Sequence, residues 1–234
     1  MSQPYSLVLL PGSLSDAQVW SHQVDALGDI AEIQVPHILG LDSLESMAEA
    51  VVAHAPQRFA LAGFSMGGRV ALEIYRRIPE RITKLALISS SIHPIAEGEA
   101  EKRKPLLDLA IADGMEALAK AWFPRIVHPS RIDDAAFMAP LREMALRQTP
   151  DDYVREVRAL LNRPDSDDVA RAVSCPTLVI AGDSDPLSTP VRNAEIQRLI
   201  PHARLITYEN CAHFPMLEYP ERMNTELRNW LLQD

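Results

Sequence analysis

Cysteine is scarce in this chain: only Cys175 and Cys211 occur in 234 residues, far apart. That spacing argues against the disulfide framework of a small secreted domain, and both residues are expected to be buried thiols. Long apolar runs are missing as well, for no segment approaches the roughly 18 continuous apolar residues of a membrane span. The opening MSQPYSLVLLPGS has no basic stretch before its short apolar run, which ends in Pro-Gly. It reads as a strand and turn, not a signal peptide, and a cytoplasmic location is the expectation. Positive charge is in deficit too. A formal charge of -9 without a long basic run argues against nucleic acid or an anionic membrane surface as the main partner. Neither glycine pattern of nucleotide binding, G-x-x-x-x-G-K-[ST] or G-x-G-x-x-G, is present.

What the chain has is apolar residues, 47% of its length, in alternating blocks. That is enough to bury a substantial core. Short apolar runs predict strands over 5–10, 31–36, 58–63, 84–89, 177–182 and 204–209. Between them, helical periodicity predicts helices near 15–27, 43–54, 66–78, 190–199 and 217–232. Six strands alternating with helices predict a doubly wound, mostly parallel six-stranded α/β sheet with helices on both faces. One gap breaks the rhythm. Residues 99–112, 114–122, 132–147 and 151–161 are helical in pattern with no strand among them. This predicts a core of residues 1–92 and 174–234 with an inserted helical lid, residues 93–173. The apolar residues of that insert, including Trp122, Phe123, Phe137, Met138, Met144 and Leu160, either form its small core or roof a pocket on the sheet.

The phrase LAGFSMGG, residues 61–68, joins a predicted strand to a predicted helix. Gly63 and Gly67 flank Ser65 with the G-x-S-x-G spacing, and Gly68 follows. To project a serine above a sheet, the backbone must turn sharply in a strained conformation between neighbours that lack side chains. The following helix points unpaired N–H groups toward any anion formed there. A serine hydroxyl is a weak nucleophile and needs a base and an orienting carboxylate. Both are expected at the carboxyl ends of later strands. The fifth strand runs into DSDPLSTP and the sixth into NCAHFPMLEYPE, the order Ser, Asp, His. Asp185, farther past its strand and fixed by Pro186, is preferred as the acid over Asp183, which would brace the turn. Among the seven histidines only His213 follows the last strand and precedes a helix; His22, His37, His54, His128 and His202 lack that context. His93 lies near the same rim. Oxyanion donors are expected from the backbone of Met66 and from the loop after the first strand, where Gly12 allows close approach and Ser13 follows.

These blocks together resemble the α/β-hydrolase superfamily in its small esterase-like branch with a helical lid. LLPGSLSDAQVW resembles the oxyanion loop, LAGFSMGGRVALEI the nucleophile elbow, CPTLVIAGDSDPLSTP the acid loop, and NCAHFPMLEYPERMNTELRNWL the histidine loop and final helix. The resemblance implies Ser65 as nucleophile, His213 as base, Asp185 as its acid, and the N–H groups of Ser13 and Met66 as the oxyanion hole. It implies hydrolysis of a small-molecule carboxylic ester or thioester through an acyl-enzyme, with no metal or organic cofactor. Leu14, Trp122, Phe123, Phe137, Leu187 and Phe214 are the candidates for an apolar substrate site. Three departures stand out. Pro11 replaces a common histidine, Ala212 replaces a common glycine, and the antiparallel hairpin that opens many relatives is not expected, so the sheet should be smaller. Ser65 disfavours the branches with an aspartate nucleophile. Carbon-carbon hydrolysis, perhydrolysis, acyl transfer or ligand binding with little turnover share the same motifs.

Overall fold

The computed structural model describes residues 4–233. Its centre is a six-stranded, wholly parallel sheet of β1 (Tyr5–Leu10), β2 (Ala31–Gln34), β3 (Phe59–Phe64), β4 (Ile82–Ile88), β5 (Thr177–Gly182) and β6 (Arg204–Tyr208), in the order β2-β1-β3-β4-β5-β6. Position in the sheet explains composition. β3 and β5 are buried at every residue, as parallel strands covered on both faces must be, while the edge strands β2 and β6 keep exposed positions.

Alternate side chains of each central strand enter different cores. Leu7, Leu9, Ala62, Phe64, Ile88 and Ile180 belong to one apolar cluster, and Val8, Leu10, Leu61, Leu87 and Val179 to another. Helices α1 (Ser21–Leu27), α9 (Pro215–Glu218) and α10 (Pro220–Leu232) supply residues to the first. Helices α2 (Leu44–Val52), α3 (Met66–Arg77) and α8 (Pro190–Leu199) supply the second. The order sets a switch between β1 and β3, where strand succession reverses, and ligands of open α/β sheets bind outside the carboxyl ends there.

Between β4 and β5 lie α4 (Glu99–Trp122), α5 (Ala135–Leu146), α6 (Pro150–Leu161) and the short α7 (Asp167–Ala172). The expected break after residue 112 is present as a kink in α4, where Gly114 takes φ 81°. The single helix expected over 217–232 is two, because Pro220 has no N–H to continue the turn and Tyr219 before it is held out of helical conformation at φ -138° and ψ 61°. The helix expected over 15–27 begins as a 3-10 turn at Ala17, capped by Asp16, before α1. Cys211 is buried as expected, but Cys175 is only partly so, and both are free thiols. No helix among the described residues is long and apolar enough to cross a membrane.

Candidate active site

The joint between β3 and α3 turns at Ser65, which takes φ 53° and ψ -114°, a conformation costing on the order of 1–3 kcal/mol for a residue with a Cβ. Its surroundings hold it there. Ser65 N–H donates to the Ile88 carbonyl of β4, and its own carbonyl accepts from Gly68 N–H and from Ser90 Oγ. The flanking glycines are demanded by contact: a Cβ on Gly63 would lie 2.3 Å from the Gly67 carbonyl oxygen, and one on Gly67 2.5 Å from the carbonyl oxygens of Leu10 and Pro11. The elbow is thus wedged between β1 and β4, with Ser65 lifted toward the cavity.

Asp185 lies in the turn after β5 and His213 in the loop after β6. His213 Nε2 is 3.0 Å from Ser65 Oγ, and its Nδ1 is 2.8 Å from Asp185 Oδ2. Asp185 and His213 are buried, 2% and 3% exposed, so bulk water does not compete for the bond between them. Burial pushes the Asp185 carboxyl up. The imidazole of His213 and the N–H groups of Ser188 and Leu187 outweigh that effect and hold it below its ordinary value, so Asp185 is charged near neutrality. The histidine loop is clamped from below: Glu218 of α9 accepts from the N–H groups of Ala212 and Phe214, and His213 N–H donates to the Ile126 carbonyl. Asp183 does not meet His213. It accepts from the N–H groups of Asn210 and Cys211, tying the turn after β5 to that after β6.

The loop after β1 crosses close to the nucleophile, since a Cβ on Gly12 would be 3.0 Å from Ser65 Cβ. Ser13 and Met66 both line the cavity with Ser65. No protein acceptor takes the N–H of either among the described residues. Glu156 of α6 braces this loop, accepting from Ser13 Oγ at 2.5 Å and Leu14 N–H at 3.1 Å. Burial lifts its carboxyl to about 7 although both bonds pull it down. Sequence reading passed over Glu156, yet a signal existed: it shares a helix face with Tyr153, Val157 and Leu160, all buried.

The cavity is about 420 Å³ and takes in Ser65, His213, Trp122, Leu187 and Phe214. Three residues expected at the pocket are elsewhere. Leu14 is buried in the sheet core, its backbone at φ 56° turning the side chain inward. Phe123 is also core, packed on Phe214 with ring centroids 6.2 Å apart. Phe137 packs on the core edge under the Arg131 guanidinium, 5.3 Å from its ring centroid. His93 does line the cavity, as do Leu160 and a group of cations that sequence reading did not single out: Arg69, Lys102, Arg103, Arg163 and Arg192.

Residues 7–226 match the alpha/beta hydrolase family. A pimeloyl-[acyl-carrier protein] methyl ester esterase of Nitrosomonas europaea is 29% identical over 233 residues, covering 92% of this chain and 91% of that protein. The structure of an esterase from Thermogutta terrifontis superposes with a TM-score of 0.88 at 27% identity, covering 99% of this chain and 90% of that one. An enol-lactonase of Burkholderia xenovorans shares the fold at a TM-score of 0.87 and 22% identity, over 99% and 93% of the two chains. By the extent of the family match, which takes in the elbow, the acid turn and the histidine loop together, the chain belongs to the alpha/beta hydrolase family.

Proposed function

We propose that this protein hydrolyses a small-molecule carboxylic ester or thioester through an acyl-enzyme on Ser65. It is a carboxylesterase of the α/β-hydrolase type, and the observation that carries the reading is the row Ser65 Oγ, His213 Nε2, His213 Nδ1 and Asp185 Oδ2, each contact of hydrogen-bond length. Relatives named for a methyl ester support a carboxylic ester as the bond cleaved.

In this reading His213 Nε2 accepts the proton of Ser65 Oγ as the oxygen attacks the ester carbonyl. Asp185 keeps the Nδ1 proton in place, so the lone pair faces the serine, and it stabilises the imidazolium that forms. Negative charge gathers on the former carbonyl oxygen, where the N–H groups of Ser13 and Met66 receive it at the start of α3. Collapse expels the alkoxide, which takes the proton from His213. Water then repeats the sequence on the acyl-enzyme, giving up its proton to His213 and releasing the acid. The chain's own residues and water handle every proton and electron pair. Helices α4 to α7 act as a lid, residues 93–173, over a core of residues 1–92 and 174–234. A cavity of about 420 Å³ suits a substrate of metabolite size.

Labelling by a fluorophosphonate tests the reading. Wild type should be labelled and should turn over aryl esters, with an optimum at short acyl chains if the cavity stays closed. Ser65→Ala should lose labelling and about 10⁵-fold or more in kcat. A wild type that neither labels nor hydrolyses any of these aryl esters would sink the proposal.

A further inference from the structure

The cavity that holds Ser65 is lined by five cationic side chains, Arg69, Lys102, Arg103, Arg163 and Arg192, against one carboxylate, Glu99. This is opposite in sign to the chain as a whole, which carries -9. The single carboxylate is already engaged. Glu99 accepts from Arg163 at 2.6 and 2.8 Å and from Arg103 at 2.8 and 3.0 Å. Burial pushes its carboxyl up, but those bonds dominate and hold it at about 2. Arg163 is also spent: it donates to the carbonyls of His93, Pro94 and Leu160. The nearby Glu195 is held by His93 Nε2 at 2.9 Å.

Arg69 differs from these. Its Nη1 donates to the His93 carbonyl at 2.9 Å, and among the described residues neither Nε nor Nη2 has a protein acceptor and no carboxylate pairs with it. Lys102 and Arg192 likewise have no ion pair among the described residues. An unpaired guanidinium in a partly buried position is unfavourable unless something neutralises it. Burial and the charge of Arg163 pull Arg69 down to about 9, the mark of a cation short of anionic partners. Its place matters too. Arg69 stands in the first turn of α3, four residues after Ser65, and both line the same cavity.

We propose that this wall is an anion subsite, and that the ester cleaved at Ser65 carries a free carboxylate, a few bonds from its carbonyl, which pairs with Arg69 through Nε and Nη2. The inference rests on Ser65 being the nucleophile and adds the substrate class. The two free nitrogens form a planar fork that matches the two oxygens of a carboxylate. Leu106, Trp122 and Leu187 of the same cavity offer apolar surface for a short aliphatic spacer. The substrate class is therefore the half-ester of a short dicarboxylic acid.

Monomethyl adipate and the methyl ester of adipic monoamide have the same length and differ in one charge. Wild type is expected to favour the acid by about tenfold or more in kcat/KM, chiefly through KM, with the ratio falling as salt is added. Arg69→Gln should bring the ratio to within about threefold of one, and Arg69→Lys should keep part of it. Binding of adipate against adipamide to wild type, read by calorimetry, needs neither turnover nor a variant and should show the same order. Equal binding of the two, or an acid preference undiminished in Arg69→Gln, overturns the subsite. If the fluorophosphonate labels Ser65 and the neutral ester is hydrolysed while the acid is not preferred, the subsite alone fails. If adipate binds selectively but nothing labels or turns over, the esterase reading fails and the subsite stands.

Discussion

The two sides of the cavity are held by different forces. On the sheet side, Ser65, Met66, Asp185 and His213 sit on turns after β3, β5 and β6, held by backbone bonds such as Ser65 N–H to Ile88 of β4 and Asp183 N–H to Tyr208 of β6, and by glycines packed against main chain. On the insert side, Lys102, Arg103, Tyr153, Leu160 and Arg163 stand on α4 and α6 or just beyond, and the two arginines are held by ion pairs to Glu99 and, for Arg163, by bonds to loop carbonyls. A substitution on the first side meets the main chain of the whole domain, whereas one on the second meets other side chains. The geometry of Ser65, His213 and Asp185 is thus tied to the fold, whereas the facing wall, Arg69 of α3 apart, rests largely on side chains that can change without unmaking it.

The largest break in that comparison is Asp185→Asn. The amide keeps the shape of the carboxyl and an acceptor for the N–H groups of Leu187 and Ser188, yet it no longer fixes the Nδ1 proton of His213. A loss of about 10⁴-fold in kcat is expected with KM little altered and the melting temperature nearly kept. A loss under tenfold would mean that another group orients His213.

Gly63→Ala breaks the same side through packing. The new Cβ would meet the Gly67 carbonyl oxygen at 2.3 Å and Gly68 Cα at 2.6 Å, both main chain that cannot move alone. Destabilisation of about 3 kcal/mol or more is expected by thermal or urea unfolding. The matching change on the insert, Arg142→Ala, removes a solvent-screened pair with Glu116 at 2.6 Å and should shift the unfolding transition far less. Similar values for the two would erase the distinction.

The same division governed how much could be read from the sequence. Central strands buried on both faces are nearly continuous apolar runs, so β1, β3, β4 and β5 stand out by composition. Ser65 follows β3 directly and Asp185 and His213 lie in the turns just past β5 and β6, and strand ends are the one place where chain position alone tells where a residue points. The insert has no such reference. An aromatic residue such as Phe123 satisfies its burial equally in a core or in a cavity wall, and only packing decides. Arg69 and Glu156 were hidden for another reason: charges on amphipathic helices usually face water, and these two face inward. Their spacing held the clue, four residues from Ser65 for one, and on the apolar face of α6 for the other.

Glu156 is one of the places where the two sides touch, as is the Ile126 carbonyl that accepts from His213 N–H, and it sharpens the comparison with the smallest effect. Standing on the insert, it holds the loop that carries Ser13 by accepting from Ser13 Oγ and Leu14 N–H. Glu156→Ala should lower kcat by about tenfold, with KM less affected, because Ser13 N–H is free to drift from its place beside Ser65. Glu156→Gln retains an acceptor and should recover most of that loss. Equal losses in the two variants would show that the side chain fills space and does not hold the loop. Stability gives an independent reading. Burial raises the carboxyl from 4.5 to about 7 in the folded chain, so between those values the folded state binds a proton that the unfolded state has lost. Stability from this group is therefore greatest below pH 4.5, falls as pH rises toward 7, and is flat above. Glu156→Gln should remove that slope from unfolding curves measured between pH 5 and 7, and an unchanged slope would place the titration on a different buried acid.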